Sequence, residues 1–328
     1  VAPHNPSRRD ILRGAGGLTA ALALGSAGAL AAAGPASAVG PGDLTIAWSD
    51  ETDPRMFRYR FATPAVTGAP GVNVLLPEDY GTGNRRYPVL YLFHGGGGGD
   101  ATTFDRLGVR DWAAGLPLIV VMPDGGVAGW YSNPVGSHVG PRNWESFHVG
   151  QLIPWVDAAF RTHAGADGRA VSGFSMGGFG ALKYAAKYPG LFSSVSSHSG
   201  PADLRRDSGI VGHWANLSSA ATELGGATVY GAPLWNESRV SADNPVEHVE
   251  SYRGKRVFLV VGTNGDAVPW FSAVQEQHVR NGHRGFRSLM NGAGIPHMAY
   301  EEPGGHVLRH PRVRQDLAGV AAHLRPAT

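Results

Sequence analysis

Ser175 sits in Gly173-Phe174-Ser175-Met176-Gly177, a G-x-S-x-G pattern. An apolar run, Ala170–Phe174, leads into it and a helical pattern leads out from Gly177. A serine between a strand and a helix occupies a sharp turn. The flanking glycines leave space for the strained backbone and the close helix, so the hydroxyl projects from the sheet edge. A helix N-terminus beneath it favours developing negative charge. The chemistry this suits is attack on an acyl carbonyl. It calls for a base, a carboxylate to orient that base, and N–H donors for the tetrahedral oxyanion.

Fourteen histidines compete for the role of base. His306, in Pro303-Gly304-Gly305-His306, follows the last strand pattern, in a loop able to swing an imidazole over the sheet edge. His310 is four residues on, at a helix start, and His297 precedes the strand, at the wrong end of the sheet. In the order Ser, acid, His, the carboxylate falls between Ser175 and His306. The run Val257–Val261 ends in Gly262-Thr263-Asn264-Gly265-Asp266, which makes Asp266 the candidate acid. Asp243 and Glu276 are rivals, one in an insertion and the other within a helix pattern. For the oxyanion, one donor is expected from Met176 N–H and the other from Gly96, in the tract His94-Gly95-Gly96-Gly97-Gly98-Gly99. His94 reads as a structural residue fixing that tract.

The substrate side is less sharply written. Trp130 and Tyr131, in Gly129-Trp130-Tyr131-Ser132-Asn133, offer a platform for an alcohol acceptor, although such a pair also serves plain packing. His198, just after a strand pattern, is a candidate for lining the pocket. Trp214 and Trp235 carry large apolar area in the otherwise polar stretch Pro201–Tyr252. At least one of them is expected at the acyl pocket or its mouth. That stretch reads either as a lid or as a passive loop excursion.

Positioning these groups requires alternating elements. Strand patterns run over Phe57–Ala62, Val72–Leu76, Val89–Phe93, Leu118–Met122, Ala170–Phe174, Ser194–Ser197, Val257–Val261 and Met298–Glu301. Several are continuous apolar runs, as strands covered on both faces should be. Helix patterns run over Glu145–Phe160, Gly177–Tyr188, Phe271–Asn281 and Val313–Leu324. The alternation implies an α/β fold with a mostly parallel central sheet, helices on both faces, and an insertion at 201–252 between nucleophile and acid. The first two strands are expected as an antiparallel edge hairpin.

Composition narrows the function class. The chain has 328 residues, 42% hydrophobic and 16% charged, enough for a large core and unlike a disordered chain. Its formal net charge is +2, and residues 1–38 carry that surplus as Arg8, Arg9 and Arg13 against Asp10. Without them the remainder is formally neutral, which argues against nucleic acid and charged membrane surfaces as partners. There is no cysteine, so disulfides and thiolate metal sites are excluded. No H-E-x-x-H or clustered ligand spacing points to a metal, and no cofactor is expected.

Ser7-Arg8-Arg9-Asp10-Ile11-Leu12-Arg13 resembles a twin-arginine export signal, followed by a weakly apolar stretch and Ala36-Ser37-Ala38. Residues 1–38 are therefore expected to be an export signal, and 39–328 a single secreted domain without a stable membrane anchor. A transmembrane anchor is the alternative, disfavoured because the stretch is mostly Ala and Gly.

Taken together, the chain resembles the esterase D family, which includes S-formylglutathione hydrolases, feruloyl and acetylxylan esterases and antigen-85-type mycolyltransferases. The resemblance covers roughly Phe57 to Leu324. It rests on Tyr91-Leu92-Phe93-His94-Gly95-Gly96, Trp144-Glu145-Ser146-Phe147, Ser172-Gly173-Phe174-Ser175-Met176-Gly177-Gly178 and Gly262-Thr263-Asn264. It implies an α/β-hydrolase fold, a serine triad and ester chemistry without a cofactor. Hydrolysis of a small-molecule, glycan or lipid ester is the expected activity. Acyl transfer to a sugar or glycerol would use the same triad, and a non-catalytic binding protein on this scaffold is the reading from another class.

Overall fold

The structure is a computed structural model and describes residues 40–263 and 270–328. The expected export segment and Asp266 lie outside the described residues. Residues 39–328 form one compact unit.

Among the described residues, one sheet has the order β1-β2-β3-β5-β4-β6-β7-β8-β9. Its strands are β1 (Thr45–Asp50), β2 (Met56–Ala62), β3 (Gly71–Leu75), β4 (Val89–Phe93), β5 (Ile119–Pro123), β6 (Arg169–Phe174), β7 (Ser194–His198), β8 (Arg256–Gly262) and β9 (Met298–Glu302). β1 to β3 are antiparallel and β3 joins β5 antiparallel; from β5 through β4 and β6 to β9 every pairing is parallel. This is the α/β-hydrolase fold, with the parallel part buried between helices. The expected β2–β3 hairpin forms, but β1 lies outside it as the true edge.

The period-two geometry of a strand sorts the core into two layers. On β4, Leu90 and Leu92 face one side, with α1 (Thr103–Leu107), α2 (Val109–Trp112) and α8 (His310–His323), where Phe104, Val109, Trp112, Val313 and Leu317 pack. Val89, Tyr91 and Phe93 face the other side, with α3 (Ile153–Ala159) and α4 (Met176–Lys187), against Phe147, Val156, Phe179 and Tyr184. The helix expected over Glu145–Phe160 is split: a π-helical turn over Ser146–Leu152 precedes α3.

The insertion 201–252 contains α5 (Arg206–Thr222) and α6 (Glu237–Asp243). Val211, Ala215, Leu224, Val229, Tyr230 and Val240 join the same core as α4, so the segment is built into the domain. The next helix, α7 (Trp270–Gly292), is longer than its sequence pattern suggested. Asp207 and Ser208 at the base of α5 have left-handed backbone, and Asp207 Oδ2 accepts from His278 Nδ1 and Asn281 Nδ2 on α7.

Candidate active site

The carboxyl ends of β6, β7, β8 and β9 bring the reactive groups together. Ser175 joins β6 to α4 with φ +56° and ψ −119°, a conformation that L side chains rarely adopt. Sterics explain the pattern around it. A Cβ on Gly173 would strike the Gly177 carbonyl, and one on Gly177 would strike the Phe93 carbonyl. The strained turn is held by Ser175 N–H, which donates to the His198 carbonyl at 2.9 Å.

His306 lies in the loop after β9. Its Nε2 is 2.7 Å from Ser175 Oγ, in position to accept the hydroxyl proton. Its Nδ1 is 2.6 Å from Glu276 Oε2, and because a carboxylate only accepts, that nitrogen carries the proton. The loop is fixed from both sides: His306 N–H donates to Ser272 Oγ, and the Arg309 guanidinium gathers the carbonyls of Gly304, Gly305 and Val307.

The carboxylate paired with His306 is therefore Glu276 on α7, which corrects the expectation that Asp266 holds this place. His306 Nδ1 has one proton to donate, and Glu276 takes it. Fully buried Glu276 also accepts Ser199 Oγ–H at 2.7 Å and Gly262 N–H. Burial pushes its carboxyl upward, but the hydrogen bond and charge of His306, with the hydrogen bonds of Gly262 and Ser199, outweigh it and leave the group below its usual range. A signal for Glu276 did exist in the sequence. Glu276, Val279, His283, Phe286 and Met290 are all buried at helical spacing, so the acid stands on the apolar stripe of α7, where a carboxylate must have a partner. Asp243, the other rival, instead pairs with Lys183 and Lys187.

Met176 N–H opens α4 directly beside the nucleophile, where helix N–H groups lack intrahelical partners. Gly96 lies against it: a Cβ there would stand 3.5 Å from Met176 Sδ and 3.2 Å from the Val127 carbonyl. The two residues expected to supply the oxyanion donors are thus neighbours. His94 has the fixing role read from sequence. Its Nε2 accepts Gly125 N–H at 2.8 Å, its Nδ1 donates to the Gly95 carbonyl at 2.7 Å, and burial pushes its pKa down.

The expected pocket residues fare differently. Tyr131 is fully buried, stacked on Phe93 at 4.4 Å with its hydroxyl donating to the His94 carbonyl, so it is core and cannot be an acceptor platform. Trp130 is also buried, its Nε1 donating to Ser218 Oγ and its ring edge-on to Phe179. His198 does not line a pocket either: its buried imidazole donates to Asp316 Oδ2 at 3.1 Å, and its contribution to the site is its backbone carbonyl. Trp214, on α5, is half-buried. Trp235 packs over Gly209 and Gly212 against His213, and lines a cavity of about 390 Å3 within the insertion together with Arg205 and Leu234. Among the described residues, no three His, Asp or Glu side chains cluster as metal ligands.

The model of the Esterase family matches residues 63–323. The chain is similar to Esterase Rv1288 of Mycobacterium tuberculosis, 65% identical over 286 residues that cover 87% of this chain and 63% of that protein. It therefore spans less than two thirds of the length of this curated relative. The MPT51/MPB51 antigen of Mycobacterium bovis is 27% identical over 196 residues, 55% of this chain and 64% of that one. Among solved structures, an S-formylglutathione hydrolase from Agrobacterium tumefaciens matches with a TM-score of 0.65 at 18% identity, covering 85% of this chain and 99% of that one. MPT51 of Mycobacterium tuberculosis matches with a TM-score of 0.63 at 20% identity, covering 80% and 97%. At these identities the two structures speak to fold alone.

Proposed function

Because this chain belongs to the Esterase family, we propose that it hydrolyses carboxylic esters through an acyl-enzyme on Ser175. The observation that carries this reading is the continuous hydrogen-bonded line from Ser175 Oγ through His306 to Glu276, at 2.7 Å and 2.6 Å. His306 Nε2 takes the hydroxyl proton as Ser175 Oγ attacks the ester carbonyl. The N–H groups of Met176 and Gly96 stabilise the oxyanion, a contribution worth about 10²–10³ in rate per donor. Glu276 stabilises the imidazolium and keeps its tautomer. His306 then protonates the leaving alcohol, the C–O bond breaks, and the acyl group stays on Ser175. Water, deprotonated by His306, attacks the acyl-enzyme and releases the acid, restoring the serine.

The test is a panel of p-nitrophenyl esters of graded chain length, with product analysis in the presence and absence of glycerol or a sugar. Free acid as the main product supports hydrolysis, and a new ester would reassign the chain to acyl transfer. Ser175→Ala should lose about 10⁴-fold or more in kcat. An active Ser175→Ala would end the serine reading.

Residues 1–38 form, in the same proposal, a twin-arginine-type export signal, so the esterase acts outside the cytoplasm. The paired Arg8-Arg9, the apolar stretch and Ala36-Ser37-Ala38 support it.

A further inference from the structure

The glycine tract bearing the second oxyanion donor has a great deal of backbone freedom. Gly97 and Gly98 both take left-handed conformations, with φ of +76° and +111°. An oxyanion donor must nonetheless be placed within a few tenths of an ångström. The tract rests on the segment Gly125–Ala128, and two side chains bond its backbone. One is His94, which accepts Gly125 N–H. The other comes from the insertion. Glu223, directly after α5 and only 7% exposed, accepts Val127 N–H at 2.9 Å through Oε2. Its Oε1 accepts Trp144 Nε1–H at 3.0 Å and lies 3.4 Å from Arg142 Nε. The carboxylate presses on Gly126, where a Cβ would come within 2.6 Å of Oε1. Val127 in turn offers its carbonyl to Gly97 N–H at 2.9 Å, and that same oxygen abuts Gly96. Apolar packing does not hold Val127, whose side chain is 40% exposed. A buried carboxylate costs free energy unless it is paired: Glu223 is paired through Oε1 with Trp144 and Arg142, which leaves Oε2 for Val127 N–H of this loop.

We propose that Glu223 is a positioning residue for the oxyanion hole, fixing Gly96 through the backbone of Val127. The insertion then contributes to catalysis by holding the oxyanion loop, whatever it does to substrate choice. The inference rests on the serine reading above, with Gly96 as the second donor.

The experiment compares Glu223→Ala and Glu223→Gln with wild type and Ser175→Ala. It measures kcat and KM for p-nitrophenyl acetate, the Ki of a trifluoromethyl ketone, and the melting temperature. The ketone adds to serine and places a tetrahedral oxyanion in the hole, whereas a lost donor slows acylation and deacylation alike and so should move KM for a small ester little. Glu223→Ala should lose about 10-fold or more in kcat, with Ki raised by a similar factor and KM changed less than about threefold. Glu223→Gln, which keeps an oxygen to accept Val127 N–H, should fall in between; it also decides the matter if the alanine variant does not fold. Unchanged kcat and Ki in folded variants would overturn the proposal, as would a fall in kcat without a matching rise in Ki. If Ser175→Ala is inactive and the Glu223 variants are normal, only the positioning role fails. An active Ser175→Ala removes the serine reading and this inference together.

Discussion

His306 Nδ1 lies 2.6 Å from Oε2 of Glu276, a carboxylate presented by the second turn of α7 and not by the loop after β8. Ser199 and Gly262 hold the other oxygen of the same carboxylate, so the acid is locked to the ends of β7 and β8 at once. A helix-borne acid has less freedom than one on a loop, and a buried one keeps its strength as a hydrogen-bond acceptor.

The first prediction separates the two carboxylates. Glu276→Gln should lower kcat by about 10³–10⁴-fold while the protein stays folded, because the amide no longer stabilises the imidazolium or enforces its tautomer. Asp266→Asn should keep near-full activity. A reversal of these outcomes in steady-state ester hydrolysis would return the acid to the loop.

This was the point at which the sequence was hardest to read. The strands were legible because the parallel ones are continuous apolar runs, and Ser175 was legible because sterics dictate both flanking glycines. Glu276 reads only as a rival because a carboxylate inside a helical pattern usually faces solvent; its place on the buried stripe with Val279 and His283 is what marks it. β1 left no trace because Thr45–Asp50 is exposed almost throughout and so carries no alternation. Tyr131 misled for a related reason: its phenol looks like a recognition group, but its hydroxyl is spent on the His94 carbonyl.

A second prediction concerns the turn that strains Ser175. Alanine is favoured over glycine in a helix by about 1 kcal/mol. At Gly177 the added Cβ meets the backbone carbonyls of Phe93 and His94, which cannot move aside without shifting β4. The collision should win, with a net loss of about 1–3 kcal/mol and a melting temperature several degrees lower for Gly177→Ala. Gly292→Ala, in open space at the end of α7, should hold or raise the melting temperature. Thermal unfolding of the pair reads both signs.

A third prediction uses the buried charge cluster beneath Trp130 and Tyr131. Lys183 is fully buried and pairs with Glu145 at 2.7 Å and Asp243 at 3.1 Å, while also donating to the Tyr131 carbonyl and Ser132 Oγ. Burial raises the Glu145 carboxyl, but Lys183 and Lys187 outweigh it and hold the group at about 2. A carboxyl whose folded pKa is depressed stabilises the fold above its unfolded pKa, and that stability is lost as pH falls through the folded value. Glu145→Gln should therefore cost about 3–5 kcal/mol near neutral pH, since it leaves Lys183 undercompensated. The penalty should shrink between the ordinary glutamate value and about pH 2. Urea unfolding across that window measures it, and a penalty independent of pH would contradict the assignment.

A fourth prediction concerns export. Replacing Arg8 and Arg9 with Lys should block secretion, and N-terminal sequencing of the secreted wild type should begin at Val39. Unimpaired secretion of the double variant would remove the twin-arginine assignment.

The most direct test of the account is to trap the covalent intermediate. The protein would be mixed with a p-nitrophenyl ester, quenched in acid during the burst phase, digested and read by mass spectrometry. The account predicts one acyl group, on the peptide containing Ser175 and at that residue, and its absence from Ser175→Ala. An acyl group on another residue, or hydrolysis at the wild-type rate by Ser175→Ala, would contradict it.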